Sequence, residues 1–185
     1  MILDPEITAK ASVNEARYGL PLGLLRGLIQ VESGGKRDAY RDDTGASGLT
    51  QIIPRYHPSV KNPFDVDEAL DYTARTLASY KAEFGSWEAA TAAWLAGETA
   101  VRKNIARGGN GIPDTKDKYT GLSVADYVNN VFAAGNTTGG NVGAYAGASL
   151  PSQLSVEPRN FNRNNLALFG LALMLLGAIV LAAKG

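Results

Sequence analysis

The stretch LIQVESGG, Leu28–Gly35, puts a glutamate on a helix face that is otherwise apolar. Upstream, PLGLLRGL predicts a helix over 21–33, with Pro21 suited to a first helical position and Leu24, Leu25, Leu28 and Ile29 forming one stripe. Leu25, Leu28 and Glu32 follow the i, i+3, i+7 spacing, which brings Glu32 onto the buried face. Gly34 and Gly35 supply the stop. A carboxylate at a helix C-terminus meets the negative end of the dipole, and burial disfavours the charged form again. Both effects favour a protonated carboxyl near neutral pH, the state a general acid needs. From this helix alone two readings stand: a tuned acid, or an ordinary solvated glutamate at a fraying end.

Composition narrows the chemistry. Of 185 residues, 18 are acidic and 18 basic, so no overall field recruits nucleic acid, and none is expected as a partner. Without cysteine there is neither a disulfide framework nor a thiolate metal site. His57, the single histidine, stands between Tyr56 and Pro58 and is expected to be a surface loop residue. Zinc hydrolysis and a Ser-His-Asp triad therefore have little support, no phosphate-binding glycine loop is present, and neither metal nor cofactor is expected. The first residues, MILDPEITAKASVNEARYG, carry Asp4 and Glu6 and lack an apolar core, so a helix from Pro5 to about Tyr18 is expected rather than a signal peptide.

The signals stay helical to about residue 134. A helix is predicted over 67–84, ended by Gly85; Ser86 caps the next, SWEAATAAWLAG; a short one follows in GETAVRKNIARGG. SVADYVNNVFAAG opens with Ser123 and Asp126 in capping-box spacing and is expected to close at Gly135. No alternating strand pattern appears, so the fold class is all-α.

Composition then changes. Residues 135–163, rich in Gly, Asn and Ser, are expected to form a flexible linker, the alternative being an irregular arm laid over the domain. Within 164–185, the run Leu166–Ala183 has 18 residues without charge, flanked by Arg159, Arg163 and Lys184. As a helix at about 1.5 Å per residue it nearly matches the bilayer hydrocarbon, which predicts a single C-terminal transmembrane helix.

The domain resembles the soluble lytic transglycosylase (SLT) family of the lysozyme-like superfamily over roughly 14–131. YGLPLGLLRGLIQVESGG (Tyr18–Gly35) is similar to the family's first motif, with the catalytic glutamate before serine. GASGLTQIIP (Gly45–Pro54) resembles its G-x-x-G-L-M-Q motif. NPFDVDEALDYTARTL (Asn62–Leu77) looks like the stretch that opens the next helix, AAWLAG (Ala92–Gly97) stands for A-Y-N-A-G, and YVNNV (Tyr127–Val131) for Y-V-x-x-V.

The resemblance implies a lysozyme-like fold and cleavage of the β-1,4 bond between N-acetylmuramic acid and N-acetylglucosamine in peptidoglycan, with the C6 hydroxyl as internal nucleophile. It implies Glu32 as the catalytic acid, with Ser33 after it in the same motif and Asp42 in the following loop expected to bind substrate. Gly48, Leu49 and Gln51 are then expected to line the saccharide cleft, and Tyr127 to approach Glu32 from the last helix. Trp94 is either a flat face for a sugar or core volume. There are departures: Thr50 for methionine, Trp94 and Leu95 for the tyrosine and asparagine of A-Y-N-A-G, and Asp42 near a serine that assists the acetamido group.

Two rivals use the same scaffold: a goose-type hydrolase whose water is held by Asp38, Asp42 or Asp43, and a non-catalytic membrane-anchored virion protein. The arginines before the apolar run favour a cytoplasmic domain in the producing cell, which points to a phage virion enzyme with membrane or virion partners.

Overall fold

The computed structural model describes residues 3–116 and 123–137. The first helix, α1 (Pro5–Tyr18), forms where its caps predict: Asp4 accepts the Glu6 N–H at 2.7 Å, and Gly19 closes the end in a left-handed conformation.

The helix that ends at the glutamate, α2 (Leu24–Glu32), begins three residues later than its proline predicts. Gly23 turns to φ 97°, which leaves Pro21 and Leu22 in the preceding turn. The cap comes from a distant residue. Glu15 of α1, 1% exposed, accepts the main-chain N–H groups of Gly23 at 3.0 Å, Leu25 at 2.9 Å and Arg26 at 3.3 Å. Free helix N–H groups and the positive end of the dipole both suit a carboxylate there. Burial nonetheless raises the Glu15 pKa, opposed by those N–H groups and by Arg26, whose Nε lies 3.9 Å away.

The next three elements match their predicted places closely. They are α3 (Val66–Phe84), capped by Asp65 onto the Glu68 N–H; α4 (Trp87–Ala96), capped by Ser86 onto Ala89; and α5 (Glu98–Ala106). The last, α6 (Val124–Thr137), opens with the reciprocal box that its sequence shows: Ser123 N–H donates to Asp126 at 3.1 Å, and Asp126 N–H to Ser123 Oγ at 3.0 Å. No β-strand occurs among the described residues, only isolated bridges such as Tyr40–Ser47 and Ser47–Ile52.

Gly135 is not the helix end its sequence suggests. The helix does not stop there but runs on to Thr137. Its missing side chain is used for contact. A Cβ on Gly135 would come within 2.3 Å of the Gly23 carbonyl oxygen, and one on Gly27 within 2.0 Å of the Val131 carbonyl oxygen. Gly23 and Gly27 of α2 thus lie directly on Gly135 and Val131 of α6, with the two helices antiparallel. The core lies beside this seam, built from Leu25, Leu28, Ile29, Leu70, Leu77, Tyr127 and Val131.

The linker beyond residue 137 and the apolar run 166–183 lie outside the described residues. Among the described residues no helix is long and apolar enough to cross a membrane.

Gly27→Ala is expected to destabilise the domain by about 1–3 kcal/mol through overpacking, although alanine is the better helix former by about 1 kcal/mol. Urea unfolding measures this, and an unchanged or higher midpoint would show that the helices can separate freely.

Candidate active site

Glu32 is the last residue of α2. Beyond it the chain leaves the helix as Gly34 and Gly35 take φ of 61° and 81°, while Ser33 turns its Oγ back onto the Ile29 carbonyl at 3.2 Å and accepts the Gly35 N–H at 3.2 Å. The Ser33 hydroxyl is thus committed to the main chain. The glutamate is partly buried: some of its surface is open, while its carboxyl is enclosed by protein.

Three elements meet that carboxyl. Tyr127 of α6, with no exposed surface, donates its Oη–H to Glu32 Oε1. Arg41, from the long segment between α2 and α3, contributes positive charge. Trp94 of α4 contributes a further, smaller lowering influence on its pKa. Burial is the largest influence and raises the Glu32 pKa to about 7, against the opposing pull of Tyr127, Arg41 and Trp94 in that order. Such a carboxyl is half protonated near neutrality and can both give and take a proton. Burial, helped by the adjacent Glu32, also drives the Tyr127 pKa well above its ordinary value, so the phenol stays a donor.

The segment 33–65, which carries Arg41, is held by its own main chain. Gly48 takes φ 72°, and a Cβ there would come within 2.0 Å of the Pro63 carbonyl oxygen, so only glycine lets the two strands of this loop touch. Gln51, in the left-handed region at φ 53°, spends its amide N–H groups on the carbonyls of Gly48 at 3.0 Å and Ala39 at 3.4 Å. A non-glycine residue held there is strained, a condition that persists only when its surroundings enforce it. The Gln51 amide thus fastens the loop. Leu49 is 1% exposed and belongs to the core, so its side chain cannot line a saccharide cleft as expected. Thr50, fully buried, shares a hydrogen bond of 2.9 Å with Thr73 of α3, whose hydroxyl also meets the Ala69 carbonyl. That pairing satisfies the hydroxyl that replaces the family's methionine. Leu95 is likewise core, 3% exposed.

Other expected members lie apart. Asp42 is exposed and makes no hydrogen bond or ion pair among the described residues. Asp43 is held by Arg41 through contacts of 3.2 and 3.4 Å, and this guanidinium lowers its pKa. Trp94 is only 8% exposed and is no open platform for a sugar. His57 corrects the expectation of a solvated loop residue. It lies partly buried with its ring stacked on Trp94, centroids 5.8 Å apart and planes 11° apart.

The family model for the transglycosylase SLT domain matches residues 10–115, more than half of the chain. The chain belongs to this family. Its members are lytic transglycosylases acting on peptidoglycan, and this protein is an enzyme of that kind. No curated protein matches the chain. The match stops short of α6, which brings Tyr127 to Glu32.

Arg41 is the member that sequence reasoning missed as part of the site. Nothing in local periodicity marks it, because it reaches the carboxyl from an irregular segment.

Tyr127→Phe removes the hydrogen bond that favours the Glu32 carboxylate. The alkaline limb of the kcat/KM profile should therefore move upward by about one pH unit, since a bond to a charged group contributes about 1.5–3 kcal/mol and one unit is about 1.4. A limb that stays in place or moves down would show that Tyr127 does not tune this group.

Proposed function

We propose that this transglycosylase cleaves the β-1,4 bond between N-acetylmuramic acid and N-acetylglucosamine, with Glu32 as its one acid and base, and releases a 1,6-anhydromuramoyl end. What carries the reading is a single enclosed carboxyl with a pKa of about 7, attended by a phenol, a guanidinium and an indole, none of them a carboxylate. Most glycosidases need two carboxyl groups, one of them to activate water or to attack the sugar. A reaction with an internal nucleophile needs one.

In the first step Glu32 gives its proton to the glycosidic oxygen as the bond from C1 to that oxygen breaks. The C6 hydroxyl of the same muramoyl residue attacks C1, and its proton passes to the Glu32 carboxylate. One C–O bond is broken, one is made, the acid is regenerated, and no water is consumed. Between the two transfers Glu32 is an anion, and the donor on Tyr127 and the charge of Arg41 favour that form. The tethered hydroxyl brings the large effective concentration of an intramolecular reactant. A hydrolytic route would need a second acid to hold water. Asp43 is engaged by Arg41, and Asp38 and Asp42 are exposed, which favours the transglycosylase.

Glu32→Gln should lower activity by at least about 10²–10⁴-fold while the fold survives. Mass analysis of a peptidoglycan digest should give ends lighter by one water than hydrolytic products. Hydrated ends that vanish in the variant would indicate a lysozyme, and no cleavage by the folded wild type would leave only glycan binding.

The placement of the enzyme follows from residues 166–183, whose apolar run supports a membrane anchor joined to the domain through the Gly- and Asn-rich linker. The preceding Arg159 and Arg163 favour a catalytic domain on the cytoplasmic side of the producing cell. Such an enzyme reaches the wall when carried in a phage virion and presented from outside, opening the wall locally for entry. The full chain should sediment with membranes and resist carbonate, whereas a chain ending after Thr137 should remain in the aqueous fraction. Full-length protein that is soluble without detergent would remove the anchor.

A further inference from the structure

The first helix grips the second at both ends. Glu15, near the end of α1, caps the start of α2 through the N–H groups of Gly23 and Leu25, and the residues that open α1 lie on the turn that leaves Glu32. That turn has little stiffness of its own, because Gly34 and Gly35 both take positive φ and glycine has the widest choice of backbone conformations. A side chain from outside the turn braces it. Leu3, 3% exposed, fills the space beside Gly35, where a Cβ would come within 2.7 Å of Leu3 Cδ2. Two residues further on, Arg37 meets Glu6 at 2.7 Å and Asp4, the N-cap of α1, at 3.4 Å. Glu6 also meets Lys10 at 3.3 Å, and Lys10 reaches Asp67 of α3 at 2.6 Å.

We propose that Leu3 is a positioning residue for Glu32: seated against Gly35, it clamps the double-glycine turn and so fixes the end of α2 that carries the catalytic carboxyl. A carboxyl that must reach a glycosidic oxygen and then a hydroxyl tolerates little displacement, since an error of about 1 Å costs on the order of 10²-fold in rate. Tyr127 holds one carboxyl oxygen from the side of α6, and the seat at Gly35 holds the backbone from the side of α1. The apolar seat carries the clamp, and the ion pairs steer it. The side chains of Arg37, Asp4 and Glu6 are 40%, 48% and 54% exposed, and pairs so open to water contribute little, whereas Leu3 is withdrawn from solvent.

The proposal rests on Glu32 being the catalytic acid. The family match begins at residue 10, so Leu3, Asp4 and Glu6 lie outside the matched region, while Gly35 and Arg37 lie within it. Glycine at 35 serves twice, by allowing the positive φ and by leaving room for Leu3.

The test is the steady-state kinetics of the full chain on soluble glycan strands, at a temperature where each variant has the circular dichroism of the wild type. Leu3→Ala should lower kcat about ten- to hundredfold and leave KM within about twofold, because the carboxyl is misplaced while glycan binding persists. Leu3→Met, which refills the seat, should restore most of the rate. Arg37→Gln should cost less than about threefold. Gly35→Ala should also lower kcat, but in the Leu3→Ala background its methyl group has room, so the double variant should lose less than the product of the single losses. The proposal is overturned by an unchanged kcat in a folded Leu3→Ala, by a loss confined to KM, by a Leu3→Met no faster than Leu3→Ala, or by losses that simply multiply in the double variant. An Arg37→Gln loss as large as that of Leu3→Ala overturns it as well. If Leu3→Ala does not fold, Leu3→Val shortens the side chain and should lower kcat by less; an unchanged kcat overturns the proposal. Retained activity in Glu32→Gln defeats the reading of Glu32 itself. Loss there with an unchanged kcat in Leu3→Ala defeats only the positioning role.

Discussion

The close approach of α2 to α6 is the constraint on which the site depends. Gly27 and Gly135 remove the side chains that would separate the two backbones, and the carbonyls of Val131 and Gly23 occupy that space. Because the helices run antiparallel, contact at Gly23 and Gly135 carries over to the opposite end, where Glu32 meets Tyr127. A glycine inside a helix costs about 1 kcal/mol relative to alanine. Here that cost is offset by packing that puts a phenol donor onto a carboxyl ninety-five residues away in the chain.

A single environment then sets the chemistry. Enclosure raises the pKa of the acid, and its polar neighbours limit the rise, leaving the group near neutrality instead of permanently protonated. This balance suits a carboxyl that must act as acid and then as base within one turnover. Glu15 shows the contrast. It too is buried, but it accepts three main-chain N–H groups and lies near Arg26, an arrangement that caps a helix and serves structure.

The departures from the family pattern are absorbed by neighbours. Thr50 finds Thr73 across the core, Leu95 adds apolar volume, and Trp94 is stacked by His57. None of these replacements leaves a polar group buried without a partner, which would cost about 1–3 kcal/mol each. The loop that carries Gly48 and Gln51 is likewise held through its own main chain, so these residues serve its shape more than they offer side chains to a ligand.

Much of this was legible in the chain itself. Apolar periodicity, the caps at Asp4, Ser86 and Ser123, and the terminal glycines determine the helices nearly to the residue, because such signals act over a few neighbours. The position of Glu32 on an apolar face and before a double glycine was equally local. What only the tertiary structure decided depends on residues far apart in sequence. Glu15 displaces the expected start of α2, Gly135 joins a seam instead of ending a helix, and Leu49 faces the core. Arg41 comes to the site, and His57 to Trp94, through an irregular loop in which no period links residue to direction. Local pattern fixes which way a side chain points along a helix; which groups then meet is set by the packing of one helix on another.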